Sequence, residues 1–347
     1  MTATYTQCGD KNIPMTKKQT LVVAEMACSH EGSLDLMHTI SQAAHEAKAD
    51  ILQLQIWALS HMMSPARKEY GLLEKIEFSY EQWTEIVQAI RQNFKRLKIF
   101  VCVYEHNSLD FINGLGIDGY KLNSSDLTNF LVLDKVASFN LPVHLSVGAS
   151  SVSEIQFAVN RLRENNAGAI TLMYGHQNFP TEPATVNLEY MRSLGQLFDL
   201  PYGYQDHCDA DDESAFWLPA TSMGMGPSVI EKHITHDRSL NGIDHESALN
   251  PDEFAKFVEM VRTIDAAKGE KVPRPFSESE TKYREFQKKT IVAKCQIRAG
   301  EEITSDNICF MRAETLNFTP DRVSEVLGKK ASSAISPYEV LTNQHFT

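Results

Sequence analysis

Short apolar runs recur along the chain, and most of them are followed by a stretch with apolar residues at helical spacing. The runs occupy residues 21–26, 51–56, 98–103, 119–122, 142–147, 169–173, 201–205 and 228–232. Between them lie amphipathic segments such as 34–47 and 152–163, in which apolar residues recur every three or four positions. Strand and helix signals that alternate in this way indicate right-handed βαβ units and a parallel sheet.

The number of these units selects the architecture. Eight units over roughly 250 residues match a closed (β/α)8 barrel, the TIM-barrel class of α/β fold. An open doubly wound sheet is the alternative, and it is disfavoured because no G-x-G-x-x-G motif follows the first run. The sequence therefore predicts a catalytic barrel domain over residues 1–271, of which 1–19 are a polar extension.

The pattern changes after the barrel. Residues 272–287 are rich in proline, serine and charge, which is typical of a linker. From residue 288 to 347 short strand-like runs alternate with turn signals, as in TIVAKCQIRAGEEITSDNICFMRAE. This segment is predicted to be a second, small and mostly β domain.

Composition excludes several function classes. The 347 residues carry a formal charge of −12, and a nucleic-acid surface would need a basic face. No segment approaches the roughly 18 apolar residues of a membrane span, and no apolar signal region opens the chain. None of the six cysteines forms a C-x-x-C pair, so we expect reduced thiols in a cytoplasmic protein.

The active site of such a barrel lies at the C-terminal ends of its strands. His207 and His233 end the neighbouring seventh and eighth runs, and adjacent strands lie ≈4.8 Å apart, so two imidazoles can share one metal ion. Mn²⁺ suits this ligand set, with Mg²⁺ or Co²⁺ as alternatives. The competing interpretation is two ordinary polar histidines. The histidines that we leave out of the metal site are His30, His106, His144, His176 and His245.

Two charged residues in apolar runs are candidates for the chemistry. Glu25 ends the first run, where partial burial would raise the pKa of its carboxyl group as general acid–base catalysis requires. The alternative is a structural salt bridge from Glu25 to Lys121 or Lys232. Lys121 suits a substrate carboxylate or phosphate. Glu231 and Lys232 point to opposite faces of their strand, so only one of them can line the site.

The motifs, taken in order, resemble the sialic acid synthase family, which includes N-acetylneuraminate, legionaminate and pseudaminate synthases. The segments LVVAEMACSHEGS, LQLQIW, YKLNSSDLTN, HLSVGAS, YGYQDH, IEKHIT and GIDHESALNPDEF are each similar to a family motif. The tail, with IVAKCQIRAGEEITSDNICFMR and LGKKAS, resembles the antifreeze-like (SAF) domain of that family. The resemblance covers nearly the whole chain from about residue 21.

The resemblance implies an activity and a set of roles. The family condenses phosphoenolpyruvate with an open-chain N-acylated amino-sugar aldehyde and releases phosphate. His207 and His233 would hold the metal that polarises the aldehyde, and Glu25 would act on the water or hydroxyl at the enolpyruvyl C2. The substrate-binding positions that the resemblance implies are Gln55 and Asp244 at the sugar, Lys121 and Ser124 at phosphoenolpyruvate, and Arg312 with Phe286 from the small domain of a partner subunit. Family members are domain-swapped homodimers, which we expect here as well.

Several positions depart from the family pattern in the donor pocket. Gln53 replaces a lysine, Cys102-Val103-Tyr104 replaces S-T-P, Gln177 and Phe179 replace asparagine and tyrosine, Gln205 replaces serine, and Asp126 replaces glutamate. We count Asp126, Gln177, Phe179 and Gln205 among the predicted substrate-binding residues. The departures leave two alternatives open: a carbon–carbon bond-forming enzyme of the same family with a less charged donor, and a catalytically retired barrel that binds a sugar or acts as a scaffold.

Overall fold

The computed structural model of the chain describes residues 19–269 and 273–346. The chain divides into two compact units, Met1–Gly269 and Glu270–Thr347. The predicted N-terminal extension lies outside the described residues except for position 19, and so does position 272 at the start of the predicted linker.

The first unit contains eight parallel strands that close into a barrel in chain order, with β1 hydrogen-bonded to both β2 and β8. The strands are β1 (Leu21–Glu25), β2 (Ile51–Ile56), β3 (Lys98–Val103), β4 (Gly119–Leu122), β5 (Val143–Ser146), β6 (Ile170–Tyr174), β7 (Tyr202–Asp206) and β8 (Val229–His233). Each predicted run coincides with one of these strands to within a residue or two. The (β/α)8 architecture is therefore confirmed.

Helices follow the strands and pack around them. They are α1 (Leu34–Glu46), α2 (Leu59–Met62), α3 (Tyr70–Leu73), α4 (Tyr80–Asn93), α5 (Leu109–Gly114), α6 (Phe130–Ser138), α7 (Val152–Glu164), α8 (Leu188–Phe198), α9 (Ser214–Met223) and α10 (Pro251–Lys268). Helix α7 shows why the helices could be predicted from the sequence. Ser151 and Glu154 form a capping box, and Ile155, Ala158 and Leu162 of its buried face recur at helical spacing. In the described parts of the chain, no helix combines the length and apolarity needed to cross a membrane.

The lower half of the barrel interior is apolar. Val23, Ile51, Phe100, Met173 and Val229 form a buried cluster inside the ring of strands. Because side chains along a strand alternate between faces, the residue two positions after each of them again faces the interior. The residues at these second positions are polar or small, so the functional side chains lie directly above the apolar cluster.

Two glycines make space for this apolar cluster. A Cβ atom at Gly119 would come within 2.4 Å of the Phe100 ring, and one at Gly203 would come within 2.5 Å of the Met173 sulfur. Both contacts are too short for real carbon atoms. Glycine at these positions lets Phe100 and Met173 fill the width of the barrel.

The second unit contains an antiparallel pair of strands, β9 (Thr290–Ala293) and β10 (Ile308–Met311), with isolated antiparallel bridges around it. Its own buried core includes Ile291, Ile297 and Phe318. A small β unit separate from the barrel is thus confirmed. The five cysteines within the described residues, Cys28, Cys102, Cys208, Cys295 and Cys309, are free thiols, as expected.

The second half of the predicted linker, 272–287, forms helix α11 (Glu278–Gln287), with a capping box made by Ser277 and Glu280. Serine and charged residues indicated a linker, yet the same residues cap and continue a helix once the prolines at 273 and 275 have been passed. None of the α11 side chains is buried, which explains why hydrophobic periodicity did not reveal it.

Candidate active site

A cavity of about 180 Å³ lies at the C-terminal ends of the barrel strands. The predicted site residues that line it are Glu25, Gln55, Lys121, Gln177, Phe179, Gln205, His207, His233 and Asp244. These side chains are far apart in the sequence, and closure of the barrel brings them to one place. The location is the one at which enzymes of this architecture carry their active sites.

Glu25 is held by three hydrogen-bond donors. It is 2% exposed, and its carboxylate accepts a hydrogen bond from the Gln55 amide at 2.8 Å and from the Ala27 backbone N–H at 2.9 Å. The Gln53 amide also donates to it. Within the described residues Glu25 forms no ion pair, because Lys121 and Lys232 pair with other carboxylates. The alternative of a structural salt bridge therefore does not apply.

The electrostatic surroundings of Glu25 favour its protonated form. Burial raises the pKa of Glu25 to about 8, and the charge of Glu231 adds to the effect. Lys121 and the hydrogen bonds from Gln55 and Ala27 oppose the shift without cancelling it. Glu25 is thus a carboxyl group that can take up and release a proton near neutral pH, as a general acid or base must.

Lys121 is the only lysine or arginine among the described residues that line the cavity. Its Nζ lies 2.5 Å from Glu231 Oε2 and donates a hydrogen bond to Gln205 Oε1 at 2.9 Å. Gln205 in turn donates from Nε2 to Ser146 Oγ at 2.9 Å. The cation is therefore already paired, and two of the three donors of its ammonium group are engaged.

His207 and His233 stand side by side at the rim of the cavity. His207 follows β7 directly, His233 ends β8, their ring centroids are 5.6 Å apart, and each is 5% exposed. The Nδ1 of His207 lies 3.0 Å from the backbone oxygen of His176. When Nδ1 carries the proton and donates it there, the lone pair of Nε2 stays free.

The surroundings of both imidazoles favour the neutral form. Burial lowers the pKa of His207, and the pKa of His233 falls well below its ordinary range because repulsion from His207, Lys232 and Lys121 adds to burial. The buried Nδ1 of His233 has no hydrogen-bond partner. Two neutral imidazoles, one oriented by a carbonyl group, fit a divalent metal ion. No group of three or more His, Cys, Asp or Glu side chains within residues 19–269 and 273–346 is arranged to hold an ion, so water or substrate would supply the remaining ligands.

Two further glycines shape the wall of the cavity. A Cβ atom at Gly148 would lie 2.9 Å from Cγ of Gln177, and one at Gly175 would lie 2.5 Å from Cγ of Gln205. The glycines after β5 and β6 therefore give two long amide side chains the space to lie across the cavity. The same close approach would be blocked by any larger residue at either position.

Two loops complete the rim. Phe179 is 48% exposed, and the centroid of its ring lies 4.4 Å from the centroid of the His207 ring. Asp244 has a left-handed backbone with φ of 62°, and burial raises the pKa of its carboxyl group. Arg238 holds the Asp244 loop in place through ion pairs with Glu253 at 2.5 Å and Asp211 at 2.7 Å.

Four predicted site residues do not line this cavity. Ser124 and Asp126 belong to a short 3-10 helix after β4, where Asp126 accepts hydrogen bonds from Ser125 at 3.1 Å and Asn129 at 2.9 Å. The side chain of Asp126 is thus hydrogen-bonded within its own turn, and the substrate-binding roles of Ser124 and Asp126 stay predictions. Phe286 and Arg312 belong to the second unit, where both are exposed, and their roles stay predictions.

The cavity also has lining residues that were not among the predicted catalytic, binding or metal residues. They are Gln53, Cys102, Tyr104, Asn123, Ser146 and Glu231. Strand periodicity could have found most of them, because all except Ser146 lie an even number of residues from a selected position or from an apolar interior position. Glu231 also settles which of two adjacent charges lines the site. The five histidines excluded from the metal site do not line the cavity.

Comparisons with known proteins identify relatives that match most of the chain. A model of the NeuB family matches residues 39–273, more than half of the chain. An uncharacterized protein of Methanocaldococcus jannaschii is 31% identical over 295 residues, which cover 84% of this chain and 85% of that protein. The N,N'-diacetyllegionaminic acid synthase of Campylobacter jejuni is 29% identical over 338 residues, 93% of this chain and 99% of that protein. The crystal structure of an N-acetylneuraminic acid (sialic acid) synthetase from Leptospira borgpetersenii, in complex with citrate, is 26% identical with a TM-score of 0.70 and covers 77% of this chain and 92% of that chain.

Proposed function

The chain belongs to the NeuB family, and we propose that it is a nonulosonate synthase that condenses phosphoenolpyruvate with an open-chain N-acyl amino-sugar aldehyde. The relatives named above as acid synthases support this assignment. The observation that carries the proposal is a single cavity that holds Glu25, Lys121 and the pair His207 and His233. It combines a proton carrier, a cation and two neutral imidazoles within reach of one small substrate.

His207 and His233 would hold a divalent ion, for which we propose Mn²⁺ with Mg²⁺ or Co²⁺ as alternatives. Bound there, the ion supplies Lewis-acid polarisation of a carbonyl oxygen. The oriented His207 ring and the low pKa of His233 support this role, because both leave nitrogen lone pairs available.

The residues of the chain have separate tasks in the proposed reaction. A bond forms between C3 of phosphoenolpyruvate and the aldehyde carbon, water adds at C2, and the bond to the phosphate oxygen breaks to release inorganic phosphate. Glu25 would move the proton of that water, for which a pKa of about 8 is suited. Lys121 would hold the acidic end of the donor, and Gln55 and Asp244 would contact the sugar.

The second unit is proposed to act on a neighbouring copy of the chain. Arg312 would reach the acyl-sugar in the barrel of a partner subunit, with Phe286 packed beside it, in a swapped homodimer. The exposure of both side chains within their own unit is compatible with this role.

A phosphate-release assay tests the proposal. The protein is mixed with phosphoenolpyruvate, Mn²⁺ and a panel of N-acyl mannosamine-type sugars, and we expect release with at least one sugar. Glu25→Gln should abolish turnover, because an amide cannot carry the proton. Glu164→Gln is the matched control: it makes the same change at an exposed carboxyl group on α7, and we expect full activity.

A second candidate is a carbon–carbon bond-forming enzyme with a less charged donor. It is favoured by Gln53, whose amide nitrogen is engaged with Glu25 and whose buried carbonyl oxygen has no partner. Metal binding without phosphate release from any sugar would support this candidate. Failure to bind either metal or donor would favour a retired sugar-binding or scaffold barrel.

A further inference from the structure

We infer that Gln205 sets how strongly this cavity binds an anionic donor, because its side chain occupies hydrogen-bonding groups that an anion would otherwise use. Gln205 is 3% exposed and spans from β7 to Lys121 on β4 and Ser146 on β5. The inference rests on the proposed function, in which the donor is an acidic enolpyruvyl compound.

Both ends of the Gln205 amide are engaged. Its Oε1 accepts from Lys121 Nζ at 2.9 Å, and its Nε2 donates to Ser146 Oγ at 2.9 Å. An ammonium group and a hydroxyl group are the donors that bind phosphate and carboxylate oxygens. Gln205 therefore competes with the ligand for the lysine and the serine at the same time.

The fold makes room for this side chain. A Cβ atom at Gly175 would lie 2.2 Å from the Gln205 backbone oxygen and 2.5 Å from its Cγ. The end of β6 can approach β7 this closely only because residue 175 is glycine. The side chain of Gln205 thus packs against Gly175 at the end of β6. Both its Oε1 and its Nε2 are hydrogen-bonded in this position.

The charges around the cavity enlarge the effect. Glu231 and Asp244 line it, and Lys121, the one lysine or arginine among the described lining residues, already pairs with Glu231 at 2.5 Å. With Gln205 also bonded to it, Lys121 has one donor left for an incoming anion. Gln205 is therefore a specificity-determining residue that disfavours donors with several negative charges relative to donors with one.

The test replaces Gln205 by a short hydroxyl side chain and measures binding directly. Gln205→Ser leaves the Lys121–Glu231 pair in place and releases one donor from Lys121 and the hydroxyl of Ser146. By isothermal titration calorimetry in the presence of Mn²⁺, we expect inorganic phosphate and phosphoenolpyruvate to bind roughly tenfold more tightly than to the wild-type protein, the gain of one hydrogen bond to a charged group. The affinity for Mn²⁺ alone should stay the same.

Two further variants separate this role from a general structural one. Gln156→Ser shortens an exposed amide on α7, whose Nε2 donates to Asn160, and it should leave phosphate affinity unchanged. Gln205→Glu should weaken phosphate binding, because a carboxylate pairs more strongly with Lys121 and repels the anion. A structural defect would shift Ser and Glu variants in the same direction, whereas the inference requires opposite directions.

Unchanged or weaker phosphate binding by Gln205→Ser would overturn the inference. If Gln205→Ser does not fold, Gln205→Asn makes the same test with an amide one methylene shorter. The phosphate-release assay keeps the two proposals apart. If Gln205→Ser binds phosphate more tightly but no phosphate is released in the assay, the role of Gln205 is supported and the synthase proposal is contradicted. If phosphate is released but Gln205→Ser binds phosphate no more tightly, the synthase proposal is supported and the role of Gln205 is contradicted.

Discussion

Two buried lysine–carboxylate pairs lie back to back on β8, because adjacent residues of a strand face opposite sides of the sheet. Glu231 faces the barrel interior and pairs with Lys121 at 2.5 Å. Lys232, the next residue, faces away from the interior and pairs with Asp206 at 2.6 Å. The two pairs have the same chemistry and nearly the same geometry, but different surroundings.

The outer pair is sealed. The side chains of Lys232 and Asp206 are both 0% exposed. Asp206 also accepts a hydrogen bond from the Tyr204 hydroxyl at 2.7 Å, and Lys232 donates to the Cys208 carbonyl at 3.4 Å. No ligand can reach such a pair, so its role is to hold β7 and β8 together.

The inner pair borders the cavity and shares its ammonium group with Gln205. Burial raises the pKa of the neighbouring carboxyl group of Glu25, the charge of Glu231 raises it further, and that of Lys121 lowers it. Whether a buried ion pair of this barrel serves stability or binding therefore depends on the side of the barrel wall that it faces, rather than on the type of residue.

Breaking the outer pair should have the largest effect on stability. Lys232→Met leaves the carboxylate of Asp206 buried without its cation, and we expect the free energy of unfolding to fall by about 3–5 kcal/mol. Urea denaturation measures this loss. The double variant Asp206→Leu/Lys232→Met should recover most of it, since no unpaired charge remains. A decrease in the free energy of unfolding below about 1 kcal/mol for Lys232→Met would show that the pair behaves as a solvent-exposed one.

The next effect depends on pH and concerns only the inner region. The folded state raises the pKa of Glu25 from 4.5 to about 8, so folding favours the protonated form and stability falls as the pH rises between these values. Glu25→Gln removes that cost. With metal chelated, we expect the variant to be more stable than the wild-type protein by about 2–4 kcal/mol near pH 9, and no more stable near pH 4.

Denaturation curves at both pH values provide the measurement for this carboxyl group. Glu164→Gln is the control, because Glu164 is an exposed carboxyl group on α7. It should follow the wild-type pH dependence. An equal gain for Glu25→Gln at both pH values would mean that ionisation of Glu25 is not the cause.

Breaking the inner pair should have the smallest effect on stability. Lys121→Met leaves Glu231 beside a cavity that water can enter, so we expect a loss of about 1–2 kcal/mol in urea denaturation. Binding of inorganic phosphate in the presence of Mn²⁺ should be lost in the same variant, and it should persist in Lys232→Met. A stability loss equal to that of Lys232→Met would remove the contrast between the two pairs.

Much of the fold was predictable because its signals are local. Each strand of the barrel is a short apolar run, and helices such as α7 carry both a cap and a periodic buried face. Helix α11 was missed because it buries no side chain, so its sequence contains no hydrophobic period to detect.

The candidate site was predictable in part. Glu25, His207 and His233 were found because they end strands, and position along a strand is visible in the sequence. The hydrogen bond that Asp126 accepts within its own turn could not be predicted, because a comparison of motifs does not reveal it, and its substrate-binding role stays a prediction. The roles of Arg312 and Phe286 stay predictions that rest on the family resemblance.

The order of the barrel strands, the residues that end each strand, and the alternation that puts Glu231 and Lys232 on opposite faces can all be derived from the sequence. These properties follow from residue spacing along one element. Which charges meet depends on the folded barrel: Lys121 pairs with Glu231 across the barrel, Lys232 with Asp206 outside it, and Glu25 with two glutamines rather than a lysine. The physical reason is that these partners lie on different strands, and barrel closure with its register sets the distances between them.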